Sequence, residues 1–405
     1  MSRPYAVALF GATGFTGGLV AEHLARRVPE GVAWAIAGRN LDKLRQVRRR
    51  LADSGVLGDS AAERIGLVVA DSSDPASLRA MAQQARVVAS TVGPFAEVGE
   101  PLVQACLQAG TNYCDITGEP NFWKRAIGHY HGPAYEQGLK LVPCCGFDSV
   151  PADLGTHFAV SQLPSEGGPI SVDGFVTIKG KFSGGTWASA LRAMAEGTTK
   201  VPGGRDSANI GAVRPLSATK NATRTAPFRS EAMDRWAYPL PVIDPMVVRR
   251  SAQFVAHYGD GFAYAHYGTA RSPVQVGGLM AGVAGAFALA QVGPTRRWLM
   301  SLNPQGTGPD EETRASAFFR LTFVARRTGA DGTPHTVRTK VEGGDPGYTE
   351  TSKMLGEAAL ALALDRDALP ETAGLLTPAS ALGTPYRERL QAVGLRFERL
   401  DEAVA

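Results

Sequence analysis

A chain of 405 residues exceeds one typical domain and is expected to fold as two. Its 44% hydrophobic and 20% charged content excludes a disordered or fibrous chain. The net charge of +4 is spread over scattered arginine pairs and one helical triplet, Arg48-Arg49-Arg50, which excludes the basic stripe of a nucleic-acid binder.

Four cysteines, Cys106, Cys114, Cys144 and Cys145, lack metal-like spacing and are too few for a disulfide scaffold. They fit a reducing compartment. The first strand begins too early for a cleavable leader, so the cytoplasm is the expected location.

Tyr5 to Phe10 reads as a short buried strand and Gly18 to Arg27 as a helix with Leu19, Val20 and Leu24 on one face. Between them lies Gly11-Ala12-Thr13-Gly14-Phe15-Thr16-Gly17. A helix start carries unpaired N–H groups and the positive end of the macrodipole, and glycine admits a pyrophosphate close to the backbone. Gly11, Thr13, Gly14, Phe15, Thr16 and Gly17 are therefore candidate cofactor contacts, although the spacing is G-x-x-G-x-x-G rather than G-x-G-x-x-G.

Val32 to Ala37 is a second apolar run, ending in Gly38-Arg39-Asn40. Asn40 can cap a helix that turns Leu44, Val47 and Leu51 inward. In a dinucleotide-binding unit this strand end reads the adenosine ribose: an acid accepts from a 2′-hydroxyl, whereas an arginine pairs with a 2′-phosphate. Arg39 stands here with no acid beside it. NADP(H) is the expected cofactor, with Arg39 and Asn40 among its contacts.

Ile65 to Ala70 is a third strand ending at Asp71, a candidate border for the adenine, and Asp74-Pro75 supplies the next helix with a cap and a first-turn proline. Arg86 to Thr91 is a fourth. The Val92-Gly93-Pro94 that follows it faces the cofactor crevice. A helix is expected from Glu100-Pro101, then strands at Thr111 to Asp115 and Leu139 to Pro143. Six such strands describe a doubly wound parallel sheet over 1–155.

The pattern then changes. Cys145 to Gly155 reads as a turn-rich crossing, after which Val172 to Lys179, Phe318 to Ala325 and Thr336 to Val341 alternate as antiparallel strands, the last two joined through Asp331-Gly332. A second α+β domain with a mostly antiparallel sheet is expected over 156–342. Within it Gly184-Gly185-Thr186 precedes an apolar helix from Trp187 to Ala195, and Thr198 to Arg229 reads as a long loop. Gly343-Gly344-Asp345-Pro346-Gly347-Tyr348 leads into a helix from Thr349 to Leu364, and 343–405 is expected to pack back on the first domain.

The segments Gly11 to Gly17, Ala37 to Asn40, Thr91-Val92-Gly93-Pro94-Phe95, Asn112-Tyr113-Cys114-Asp115-Ile116-Thr117-Gly118-Glu119, Gly146 to Asp153 and Gly343 to Tyr348 resemble the saccharopine dehydrogenase-like oxidoreductases. They are most similar to the trans-acting enoyl reductase branch of actinobacterial lipid and polyketide pathways. The resemblance runs from about Tyr5 to Phe397 and departs most over Thr198 to Ser251. It implies a Rossmann domain binding NADPH, a second domain over the nicotinamide, and hydride transfer to a carbon–carbon double bond conjugated to a thioester. The implied partners are a polyketide synthase or an acyl carrier protein.

Hydride transfer also needs a donor for the developing enolate oxygen and a proton for the alpha carbon. No Tyr-x-x-x-Lys follows the fourth strand. The candidate catalytic residues are Asp115 and Asp148 at strand ends, read as a perturbed acid pair, Thr186 at a helix start, and Lys181. No histidine has metal-like spacing, so no metal is expected. Two rival readings are a saccharopine-type amino-acid dehydrogenase, which would need arginines to clamp a carboxylate, and a non-catalytic NADP(H) sensor or scaffold.

Ser272 to Thr295 is an uncharged span between Arg271 and Arg296-Arg297-Trp298. Met280, Val283 and Phe287 form one bulky stripe, and Gly278 and Gly282 a small-residue face. A core or homodimer helix, a lipid-docking surface and a transmembrane helix all fit that pattern. The expected behaviour is reversible lipid association at the inner face of the membrane.

Overall fold

A computed structural model describes residues 3–180, Trp187, Leu191, 224–302 and 308–400. Seven parallel strands form the first sheet: β1 (Tyr5–Phe10), β2 (Ala35–Gly38), β3 (Gly66–Val69), β4 (Ala85–Ser90), β5 (Asn112–Asp115), β6 (Lys140–Val142) and, from far along the chain, β13 (Gly374–Leu375). Their order is β13-β6-β5-β4-β1-β2-β3. Leu9 of β1 is flanked by Ile36 of β2 and Ala89 of β4, each fully buried, as a sheet covered on both faces requires. The strand order reverses between β1 and β4, and the crevice at their carboxyl ends is where such sheets bind ligands.

The helices follow their sequence signals closely where a cap is local. Asn40 Oδ1 accepts from Lys43 N at 3.0 Å to open α2 (Leu41–Asp53), and Asp74 accepts from Ala76 N to open α4 (Pro75–Gln84). α1 spans Phe15–Arg27, and α3 is a short turn at Asp59–Glu63. α5 (Phe95–Ala109) begins well before the expected Glu100-Pro101 and simply contains Pro101. Pro101 is the seventh residue of that helix, so it removes the N–H that would have bonded to Glu97 O, and the helix continues through it. α6 (Pro120–Glu136) was not foreseen, and the crossing expected to be turn-rich is the helix α7 (Val150–Ser161).

The second sheet has the order β14-β12-β11-β7-β10-β9-β8. Its strands are β7 (Ser171–Lys179), β8 (Phe228–Ser230), β9 (Arg235–Pro239), β10 (Ala263–Ala270), β11 (Phe318–Thr328), β12 (Pro334–Gly343) and β14 (Arg396–Leu400). Pairing is antiparallel throughout except between β7 and β10. β8 occupies the end of the stretch expected to be a loop. The β11–β12 turn is the expected one, with Gly332 at φ +84° and the Asp331 carboxylate accepting from Thr333 N at 2.9 Å.

α7 starts in the first unit and packs on the second sheet, where Gly155 lies so near Phe323 that a Cβ would come within 2.4 Å of its ring. The domain boundary drawn at 155 therefore falls inside a helix. The later helices are α8 (Asp244–Phe254), α9 (Pro273–Ala290), α10 (Gly293–Ser301), α11 (Glu311–Ala315), α12 (Thr349–Leu364) and α13 (Pro378–Ala392).

α12 lies on α1, with Gly356 against the His23 ring. The buried Glu357 carboxylate accepts from His23 Nε2 at 2.9 Å, Arg27 Nε at 2.8 Å and Arg389 Nη1 at 2.9 Å. The C-terminal segment is not confined to the first domain, however: β13 extends the parallel sheet, while β14 pairs with β12 in the other. One continuous apolar cluster runs from Leu9 and Leu24 through Leu360 and Tyr386 to Phe323 and Val341.

Candidate functional site

The three glycines of the first loop have three different reasons to be glycine. Gly11 sits at φ +96°, and a Cβ there would be 2.6 Å from Thr91 Oγ1. At Gly17 a Cβ would lie 2.0 Å from Gly11 O, so helix and loop touch without room for any side chain. Gly14 is different. Its backbone is ordinary extended chain, at φ −82° and ψ 168°, and a Cβ would meet nothing nearer than Gly11 O at 3.4 Å.

Gly14 caps α1, and no side chain bonds to that helix start. The first-turn N–H groups and the dipole thus face an open cradle that a side chain at 14 would fill, which fits a pyrophosphate. Phe15 closes one side of the loop, its ring edge-on to Tyr348 at 4.9 Å and beneath the Arg314 guanidinium at 5.7 Å. Thr13 is exposed beside Gly38 at the end of β2, and Thr16 is half-buried in the first turn.

Arg39 is exposed at the carboxyl end of β2 and hydrogen-bonds to no described residue. Asn40 is exposed too, with its Oδ1 engaged by Lys43 N. Asp71 is tied into a local turn: hydrogen bonds from Ser73 N and Oγ, helped by the charge of Arg39, hold its carboxyl below the ordinary aspartate range. Val92 packs its Cγ2 against Gly11, Gly93 is exposed with no atom within 3.6 Å of a Cβ position, and Pro94 caps α5. The strand-end contacts expected from the sequence are thereby gathered around one crevice.

The start of α5 beside it is already occupied. Glu119, buried at the head of α6, accepts from Phe95 N at 3.1 Å and Ala96 N at 2.8 Å. A carboxylate there satisfies the helix end that an anion would otherwise take, which leaves α1 as the open one. No cap signal precedes Phe95, so sequence reasoning missed this role.

Asp115 and Asp148 do not form a pair. Asp115 is 0% exposed and accepts from Tyr113 Oη at 2.6 Å, Thr117 N at 2.9 Å and Cys144 N at 3.1 Å. Burial raises its pKa to about 6 despite those bonds. It fixes the β5 and β6 loops and presents no face to a ligand. Asp148 is half-buried, makes no hydrogen bond with a described residue, and lies against Gly118, where a Cβ would come within 2.6 Å of its Oδ2. Burial alone raises its pKa to about 6.

Asp148's neighbour in charge is Asp244, at the first turn of α8, which the sequence reading passed over. Burial and then the Asp148 charge hold the Asp244 carboxyl well above its ordinary value. The pattern Asp244-Pro245 repeats that of Asp74-Pro75, and only the fold shows that this second aspartate is enclosed. Lys181 and Thr186, with Gly184 and Gly185, lie outside the described residues. No group of three or more metal-ligating side chains occurs among the described residues.

A cleft of about 310 Å³ lined by Val28, Val32, Trp34 and Leu57 lies elsewhere, at the amino ends of the strands. Ligands of parallel sheets bind at the other end, and the glycine loop is there.

Residues 7–136 match the family model of the saccharopine dehydrogenase NADP-binding domain. A trans-acting enoyl reductase of Mycobacterium ulcerans is 33% identical over 97% of both chains. A Mycobacterium tuberculosis protein that provisionally bears the same name is 35% identical over 98% of this chain and 97% of its own. The Bos taurus saccharopine dehydrogenase-like oxidoreductase is 32% identical over 98% and 97%. Among solved structures, the apo saccharopine dehydrogenase (L-Glu forming) of Saccharomyces cerevisiae superposes with a TM-score of 0.53 at 13% identity, over 98% of this chain and 99% of that one, a likeness of fold. With an open glycine cradle at the switch point of its parallel sheet, the chain belongs to the saccharopine dehydrogenase-like oxidoreductases and binds NADP(H).

Proposed function

We propose that this protein is an NADPH-dependent enoyl reductase acting in trans on the carbon–carbon double bond of an acyl thioester, carried by an acyl carrier protein or polyketide synthase of lipid metabolism. The observation that carries this reading is the Asp148–Asp244 corner: a half-buried and a buried carboxyl, neither in a salt bridge with a described residue, at the carboxyl end of the sheet. Such a corner disfavours a substrate carboxylate. The buried arginine of α8, Arg250, is turned away, donating to Leu375 O at 2.8 Å, so it is no clamp for an amino acid. The full-length likeness to trans-acting enoyl reductases supports the same choice.

The nicotinamide supplies hydride to an electrophilic carbon. The chain's own groups do the rest. The Gly11 to Gly17 loop and the start of α1 hold the pyrophosphate, and Arg39 pairs with the 2′-phosphate. Asp148, protonated over part of the neutral range because burial penalises its charge, holds the proton needed at the alpha carbon. Once Asp148 has given up its proton, its charge keeps the neighbouring Asp244 protonated, since two adjacent carboxylates resist ionising together.

The test is a panel of enoyl thioesters with NADPH, followed by nicotinamide absorbance and product mass. Turnover is expected with enoyl thioesters and not with saccharopine or other amino acids. Asp148→Asn is expected to lower kcat about a hundredfold, within the range of general-acid catalysis, while NADPH binding is unchanged. An acid works only while protonated, so kcat/KM should fall as pH rises through about 6 in the parent and lose that limb in the variant. Undiminished turnover by Asp148→Asn would remove the assigned role, and NADPH binding without turnover of any thioester would favour a sensor.

A further inference from the structure

α9 has an unusual environment for its composition. No residue between Arg271 and Arg296 is charged, and the one polar side chain within the helix is Gln275. A helix apolar on every side is ordinarily enclosed by its own protein. Here only Val276 and Ala290 are buried, while Val274 is 83% exposed and Met280, Val283 and Phe287 are each about half exposed. Core packing is thereby excluded for the stripe.

α10 folds back against α9. Leu299 joins Ala290 and Leu191 in a small cluster, and Trp187 Nε1 donates to Leu299 O at 2.7 Å. The outer side of α10 displays Trp298, 56% exposed, next to exposed Arg297. From Gly261 to Pro309 the chain carries no acidic residue, and its charges are Arg271, Arg296 and Arg297. Beyond the hairpin the chain returns to the cofactor loop: Gly308 sits so close to Phe15 that a Cβ would come within 2.2 Å of its ring.

We propose that α9 and α10 form a monotopic anchor that seats in one leaflet of a membrane surface bearing anionic lipids. An apolar body, flanking arginines and an interfacial tryptophan are what such a surface binds. At about 1.5 Å per residue, the 18 residues of α9 approach the thickness of a hydrocarbon core. A crossing is nevertheless excluded by connectivity. Both ends of the hairpin return to one sheet, at Ala270 of β10 and Phe318 of β11, and the nine residues of α10 are far too few for a return span.

A second copy is the poorer occupant. Any two-fold pairing along α9 brings a cationic end of one copy against a cationic end of the other, whether the helices run parallel or antiparallel. An anionic surface neutralises both ends at once. The anchor does not depend on which substrate the active site takes.

The experiment is vesicle flotation of the full chain with NADPH, using phosphatidylcholine vesicles with and without phosphatidylglycerol. The parent protein is expected to float with the anionic vesicles and poorly with the neutral ones. At about a fivefold contribution per arginine near an anionic surface, an Arg296→Ala, Arg297→Ala variant should partition about thirtyfold more weakly. Val283→Asp, Phe287→Asp should not float at all. Both variants change exposed or half-exposed side chains outside the cofactor site, so thermal melting and NADPH binding should match the parent and verify the fold. Light scattering on the same samples reads the oligomeric state. Failure of the parent to float with anionic vesicles, equal flotation of a folded Asp variant, or a parent dimer that the Asp variant dissociates without any lipid dependence would each overturn the anchor.

Discussion

Gly14 and Gly17 stand three residues apart and answer to opposite demands. At Gly17 the missing side chain is needed by the protein itself, since its Cβ would strike Gly11 O at 2.0 Å. Gly17→Ala is expected to destabilise the chain by about 1–3 kcal/mol, the usual cost of forcing atoms into a filled space, read as a lowered melting temperature. At Gly14 the space is open on the protein side, and the extended backbone accepts any residue. Gly14→Val should therefore melt like the parent and lose NADPH binding, because the branched side chain fills the cradle. Titration of nicotinamide fluorescence beside a melting curve separates the two effects. Retained affinity in Gly14→Val would place the pyrophosphate elsewhere.

Arg39 is a weaker determinant than a buried arginine would be. Its charge-assisted contact with a 2′-phosphate is made at an exposed strand end, where solvent screening reduces it. Arg39→Ala is accordingly expected to erase a preference for NADPH over NADH of about tenfold, at the low end for a hydrogen bond to a charged group. Equal binding of the two cofactors by the parent would show that the 2′-phosphate is read by another group.

At the scale of elements, α7 is held by one buried carboxylate. Asp153 accepts from the Ser251 hydroxyl of α8 and from Ala379 N of α13 at 2.8 Å, with Thr377 bonded to the same serine. Burial outweighs these bonds and raises its pKa to about 7. A carboxyl whose folded pKa is raised binds its proton more tightly in the folded chain. Its contribution is therefore most favourable on the acid side and is lost as pH rises from about 4, the ordinary aspartate value, through about 7. Asp153→Asn keeps an acceptor for Ala379 N and a partner for Ser251. It should flatten this part of the stability profile, measured by urea unfolding from pH 4 to pH 8. An unchanged slope would assign the pH dependence to Asp115, Asp148 and Asp244.

Across the whole molecule, the two sheets are joined by shared elements rather than by a linker. α7 passes between them, α12 carries Glu357 onto α1, and the last residues contribute β13 to one sheet and β14 to the other. A chain joined in this way should unfold in one transition, with far-ultraviolet circular dichroism and bound-nicotinamide fluorescence lost together. Deleting 370–405 removes both edge strands and the Thr377 and Ala379 partners of the buried Asp153 network. That variant is expected to lose NADPH binding as well as cooperative melting, although every glycine-loop residue remains. Retained binding would show that the first domain folds without its distant edge.

The sequence by itself determined the elements whose signals are local. The loop from Gly11 to Gly17, the caps at Asn40 and Asp74, the β11–β12 turn and the start of α12 each depend on residues within a few positions, and each lies where its signal pointed. α5 and α7 were misread because Pro101 and the turn residues before Val150 are local cues that a long-range partner overrides: Glu119 caps one helix, and the second sheet with α8 and α13 holds the other. The division of labour between Asp115 and Asp148 was equally invisible. Asp115 ends β5 and Asp148 lies in the loop after β6; distant chain buries Asp115 fully and adds the Cys144 N donor to its local ones from Tyr113 and Thr117, while no described residue donates to Asp148. For α9, composition demanded an apolar covering without saying whose. Only the tertiary structure shows that helix exposed, with both its ends returned to one sheet, and the proposed anchor rests on that geometry.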